Sequence, residues 1–163
     1  MAQRPRSGHE SGKTFHHLTA RVFAHATEVE ERVLEALAFV VNADLRTPEK
    51  RAQFAKLVAR IESEGHHGNP ITILEAHLKR TGDIDRAWER LLADPEVRST
   101  LTTEFGARLD DELALHVRFD KQLASQGTLR LASSDDCIAV RAKVAAFPKK
   151  REIALRALGH FFG

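Results

Sequence analysis

Residues 15–26, FHHLTARVFAHA, alternate apolar and polar positions. Leu18, Ala20, Val22 and Ala24 fall on one side, and His17, Thr19, Arg21, Phe23 and His25 on the other. That is the pattern of a strand with one buried face. TEVEERVLEALAFVV follows, and Val29, Val33, Leu37 and Val40 recur at helical spacing. Thr27 and Glu30 have the spacing of a capping box, which predicts a helix from about 28 to 41. FAKLVARIES alternates again, with Leu57, Ala59 and Ile61 expected inward and Lys56, Val58 and Arg60 outward. GHHGNP then predicts a sharp reversal, because glycine reaches backbone angles other residues resist and Asn before Pro is pushed extended. ITILEAHLKR is expected to return as a strand, although Ile71, Leu74 and Leu78 also fit a helix.

Gly82 ends that element and Asp83 is a candidate cap for the next. Ile84, Trp88, Leu91 and Leu92 line a short helix. Asp94-Pro95 opens another, since proline at the first helical position loses no hydrogen bond. Its stripe is Val97, Leu101 and Phe105. Three strands follow: LALHVRFDK, TLRLAS and CIAVRAKVAAF, with Arg118, Arg130, Arg141 and Lys143 all outward. A last amphipathic helix, KREIALRALGHFF, closes the chain. Strands with one buried face indicate an α+β fold, with an antiparallel or mixed sheet and helices packed on one face. The other face is then wet or covered by a partner.

The length of 163 residues suits one domain at 14–163, preceded by a polar, basic tail at 1–13. No window approaches the ~18 apolar residues of a membrane span, and the first residues lack a signal peptide's apolar middle. The single cysteine, Cys137, cannot form an internal disulfide and suits a reducing cytoplasm. Net charge is +2, of which the tail holds 3 − 1 = +2 (Arg4, Arg6 and Lys13 against Glu10), so the body is neutral. It is nonetheless polarised. Residues 82–112 hold nine acids and four arginines, a net of −5, and residues 113–151 hold eight bases and three aspartates, a net of +5. Such asymmetry predicts a surface with one basic side.

The outward positions Arg21, Arg60, Arg118, Arg130, Arg141 and Lys143 come from five strand segments, with His17 and His116 among them. Like charges on neighbouring strands repel unless an anion answers them, and a phosphate backbone is the obvious one. Cross-strand pairing with Glu62, Glu75 and Asp120 is the bland alternative. Base stacking has less support: there is no tyrosine, and only Phe23 and Phe15 are candidates to face outward. The histidines match no H-E-x-x-H or Cys/His spacing, so no metal or cofactor is expected. Neither His66 nor His67 has an evident nucleophile or oxyanion loop beside it, so no catalytic residue is assigned and the chain reads as a non-enzyme.

RVFAHATEVEERVLEAL, GHHGNPITILEAHL, HVRFDKQLA and DDCIAVRAKV occur in the order seen in a small archaeal family of predicted RNA-binding, exosome-associated proteins, which this chain resembles from roughly Phe15 to Phe162. The resemblance implies an α+β fold like that of a ribosomal protein that contacts RNA. It also implies RNA as the partner, with the exosome or other RNA-processing proteins as further partners. Together with the charge pattern it places Arg21, Arg60, Arg118, Lys121, Arg130, Arg141 and Lys143 on phosphates. His66, His67 and Asn69 of the turn would lie at the edge of the contact. The competing reading is an adaptor or homodimer that uses the same sheet face without RNA.

Overall fold

The structure is a computed structural model that describes residues 14–163; the basic tail expected at 1–13 lies outside the described residues. Five strands form one sheet: β1 (Phe15–His25), β2 (Val58–Glu64), β3 (Pro70–Leu78), β4 (Ala114–Asp120) and β5 (Cys137–Val144). Among the described residues six α-helices accompany them: α1 (Glu30–Val40), α2 (Pro48–Ala55), α3 (Thr81–Ala93), α4 (Pro95–Arg108), α5 (Lys121–Ser125) and α6 (Arg151–Phe162). The sheet order is β2-β3-β1-β5-β4, and every neighbouring pair is antiparallel.

Register explains the layering. Leu18 pairs with Leu78, Ala20 with Ala76 and Val22 with Leu74, while across β1–β5 Leu18 meets Ala142 and Ala20 meets Val140. These residues are all buried and share one core with Leu37, Ile84, Trp88, Leu101 and Leu158 of the helices. The helices therefore cover one side of the sheet, and the opposite side faces solvent. Phe15 also joins the core, because a register shift between Phe15 and His17 breaks the strict alternation. Its ring stacks on Trp88 at 5.0 Å and meets Phe161 edge-on at 5.2 Å. This aromatic nucleus fastens α3 and α6 to the start of β1.

Several local expectations change. Thr27 and Glu30 form no capping box. The N-cap of α1 is Val29, without a side-chain cap, and Glu30 instead holds Arg60 at 2.5 Å. α3 begins at Thr81, so Asp83 lies inside its first turn and pairs with Arg86. Asp94 does cap α4, accepting from the Val97 amide at 3.0 Å. The strand expected from Phe54 starts at Val58, since Thr47 and Pro48 nucleate α2 through Ala55. TLRLAS is no full strand. It makes one bridge, Leu131 to Phe119, and its backbone bonds Arg118 and Asp120 along the outer edge of β4. Five-residue α5 carries too little periodicity to read in advance; Asp120 caps it through the Leu123 amide at 2.8 Å.

Lys121 opens α5 and is the one charged residue buried among those described, at 1% exposure. Its ammonium donates to the Phe23 carbonyl at 3.0 Å, Glu28 Oε1 at 2.8 Å and Asp136 Oδ1 at 2.6 Å. One cation thus ties the end of β1, the approach to α1 and the loop before β5 to β4. Removing one partner of a buried pair strands the others. Lys121→Met is expected to cost about 3 kcal/mol, the low end of that class because Glu28 and Asp136 are partly solvated. Thermal unfolding checks this: the midpoint should fall by roughly 10 °C.

Candidate nucleic-acid interface

The solvent side of the sheet is a grid whose rows follow from register. One row is Ala59, Glu75, Arg21, Ala139 and Arg118, running from β2 to β4. The next, toward the start of β1, is His77, Thr19, Arg141 and His116. Beyond it His17 faces Lys143. In the other direction from Arg21 the row is Ile61, Ile73 and Phe23, and then Ser63, Ile71 and His25. Cations occupy the β1–β5–β4 part of this face, and isoleucines with one phenylalanine occupy the β2–β3–β1 part.

Arg21, Arg118, Arg141 and Lys143, with His17 and His116, therefore share one face although 122 positions separate Arg21 from Lys143. Ala139 stands between Arg21 and Arg118 in register, so no large side chain separates the two arginine positions. Arg130 lies at the rim: the Asp120 amide donates to its carbonyl, beside β4.

Two expected members of the set lie elsewhere. Arg60 pairs with Leu74, a core-side residue, so it projects to the helix side of the sheet, where it bonds Glu30 and also Glu62 at 2.9 Å. Val58 and Ile61 are three apart, so both phases of alternation could be drawn through β2. The edge position, with little to bury, lets Arg60 take the helix side and Ile61 the wet side. Lys121 is enclosed as described above, with no surface to offer a phosphate.

Most cations of the grid already have an acidic partner, and Lys143 has a backbone carbonyl. Arg21 holds Glu75 at 2.6 Å, Arg141 holds Glu112 at 3.0 Å and His116 holds Asp110 at 2.6 Å. Arg118 approaches Asp135 at 3.6 Å, and Lys143 donates to the Glu112 carbonyl. The bland alternative thus holds for Arg21 with Glu75. Glu112 and Asp135 are strongly exposed, and such pairs contribute only ~0–1 kcal/mol each. They are readily exchanged for a better anion. Burial first, and then the nearby charges of Arg141, His16, Lys143 and Lys79, hold the His17 imidazole below its usual pKa. At neutral pH it is an uncharged hydrogen-bonding group.

GHHGNP forms the β2–β3 turn, with a single 3₁₀ turn at His66–Gly68. The Gly65 amide donates to the Asn69 carbonyl at 2.7 Å, and the chain reverses through positive φ at His67 (65°) and Gly68 (74°). A side chain at Gly65 would collide with Ile71. His67 and Asn69 are exposed. The rows of Ile61, Ile73 and Phe23 separate this turn from Arg21, so the structure does not bring it beside the cations.

Among the described residues, His25, Glu28 and Asp136 form the one group close enough to share a metal ion. The Lys121 ammonium already bonds both carboxylates and takes the cation's place. A groove of about 390 Å³ opens beside β4, lined by Asp110, His116, Arg118, Leu131 and Ala132 among others. It extends the cationic rows to the edge of the sheet. The four-group cluster around Lys121 escaped sequence reading because Phe23 and Glu28 lie 98 and 93 positions before Lys121, and Asp136 lies beyond it; no local signal joins them.

A model of a family described as RNA binding matches residues 17–144. The RNA-binding protein PAB1135 of Pyrococcus abyssi is 36% identical over 145 residues, covering 88% of this chain and 90% of that protein. Among solved structures, Mth689, a DUF54 protein from Methanothermobacter thermautotrophicus, is 28% identical with a TM-score of 0.71, covering 92% of this chain and 99% of that one. SSO0741 from Sulfolobus solfataricus, 24% identical with a TM-score of 0.58, covers 86% of this chain and 96% of its own and shares the fold. These relatives are archaeal.

Despite the burial that by itself raises it, Glu28 is held below its ordinary pKa by the Lys121 ammonium and the His25 amide. Asp110 is likewise held down, against burial, by His116 and two backbone amides. The folded state therefore binds fewer protons than the unfolded chain in acid. This stability is complete above the ordinary carboxylate values and is lost as pH falls below about 4.5. Urea midpoints measured from pH 6 to pH 3 should drop, and Glu28→Gln should flatten the drop.

Proposed function

The chain belongs to the RNA-binding family, and from that premise we propose that it is a non-catalytic RNA-binding protein whose open sheet face holds the phosphate backbone. The observation that supports this most is the convergence of Arg21, Arg118, Arg141 and Lys143 on one solvent-facing grid. Arginine's planar fork suits phosphate oxygens, and strands on a stiff sheet hold four cations in fixed relation. Exposed rim carboxylates act as stand-ins that RNA displaces. Arg130 extends the contact at the rim. His67 and Asn69 form an outlying contact reached only by an RNA long enough to cross the apolar rows; the His66 side chain expected there lies outside the described residues. Arg60 and Lys121 are not carried into this proposal.

A place in RNA processing or degradation, with the exosome as partner and the cytoplasm as location, is part of the same proposal and rests on the family resemblance. Co-purification of exosome subunits after nuclease treatment tests it. The second reading, an adaptor or homodimer on this face, draws on exposed Ile61 and Phe23. A nuclease-resistant dimer in light scattering would favour it.

Binding to RNA across a salt series checks the phosphate reading. Each neutralised phosphate contributes about −0.7 to −0.9 to the slope of log affinity against log salt, so four contacts give about −3. Arg118→Ala with Lys143→Ala should weaken binding at least tenfold and make the slope shallower by about 1.5. Affinity indifferent to salt and to this pair rejects the phosphate reading. Glu112→Gln, which removes the anion competing for Arg141, should tighten binding at low salt.

A further inference from the structure

We propose that the ligand of this face is single-stranded RNA, with an unpaired base stacked on Phe23; this rests on the RNA-binding reading above and adds to it a base-binding site. Phe23 is 37% exposed on the open side of β1, and Ile61, in the same row, is 47% exposed. Ile73 lies between them in register, so three apolar side chains form a continuous strip across three strands. A strip of this kind on a wet face is costly to leave in water unless something flat and apolar covers it.

Its neighbours identify the covering group. Two positions back along β1 is Arg21, and its row continues through Ala139 to Arg118. A phosphate held by Arg21 lies one row from the Phe23 ring, and phosphate and base are joined at that scale in a nucleotide. Beyond Arg141 the same face continues to Lys143, beside the uncharged His17. Three residues past the end of β5 stands Phe147, 97% exposed, followed by Lys149 and Lys150. Cationic rows bordered by an exposed aromatic are the arrangement that tracks an unpaired strand, because stacking requires a base with a free face. A duplex presents its bases edge-on within grooves, and its stacked faces are closed to a flat sheet. A second copy of this chain fits less well, since face-to-face contact would press cation rows together.

The test uses the full chain with two probes of one sequence: an unstructured RNA carrying 2-aminopurine, and the same strand in a duplex. Single-stranded binding should exceed duplex binding, and the 2-aminopurine signal should be quenched. Phe23→Ala and Phe23→Leu should each weaken single-strand affinity roughly tenfold and remove the quenching, Phe23→Trp should preserve both, and duplex affinity should not move. Circular dichroism and the salt slope confirm that the variants retain the fold and its phosphate contacts. Unchanged single-strand affinity in Phe23→Ala, with Arg118→Ala plus Lys143→Ala still weakening binding, overturns the stacking site and leaves the phosphate reading intact. Equal loss on both probes overturns it as well. Loss of a wild-type dimer in Phe23→Ala, with RNA affinity unchanged, assigns the strip to a protein contact. No salt-sensitive binding of either probe by the wild type ends both readings.

Discussion

One-sided burial of a five-stranded sheet is the constraint from which the rest follows. Antiparallel strands send alternate side chains to opposite faces, and here the helices have apolar residues enough to cover one face. Every residue of odd phase relative to that core must then share the other face with its cross-strand neighbours. Arg21, Arg141 and Arg118 come together because Ala20, Val140 and Val117 had to be buried together. The grid is a by-product of core packing, and its stiffness is that of the core beneath it.

Lys121 gives that face a firm corner. Its ammonium sits under the end of β1, bonded to the Phe23 carbonyl and two carboxylates that approach from different segments. The residue that exposes its ring on the open side is therefore anchored by its own backbone. Pairing a buried cation with two partly solvated carboxylates limits the desolvation cost that isolated burial would impose. The same arrangement supplies the acid sensitivity of the fold, because Glu28 must stay ionised to answer the ammonium.

The chemistry of the open face is one of exchange. Its cations are balanced in the absence of a ligand by Glu75, Glu112 and Asp135. Exposed pairs hold weakly and are screened by salt, so they keep the face soluble without locking it. Among the described residues, the apolar strip carries no such stand-in. Charge and apolar surface meet along one row boundary, between Arg21 and Phe23.

The alternation in β1, β4 and β5 was legible from the sequence, as were α1, α4, α6 and the reversal at GHHGNP. In those segments apolar residues recur without ambiguity, and burial must follow the periodicity. From those phases alone, four cations could be placed on one face. What only the tertiary structure decided was which phase β2 takes, which neighbour each strand has, and where Lys121 goes. Val58 and Ile61 allow either phase, and the sheet edge with Glu30 nearby settled Arg60 on the helix side. Lys121 reads locally as one more base after β4. Its burial depends on Glu28 and Asp136, 93 and 15 positions away, and no local pattern records a contact made by chain folding.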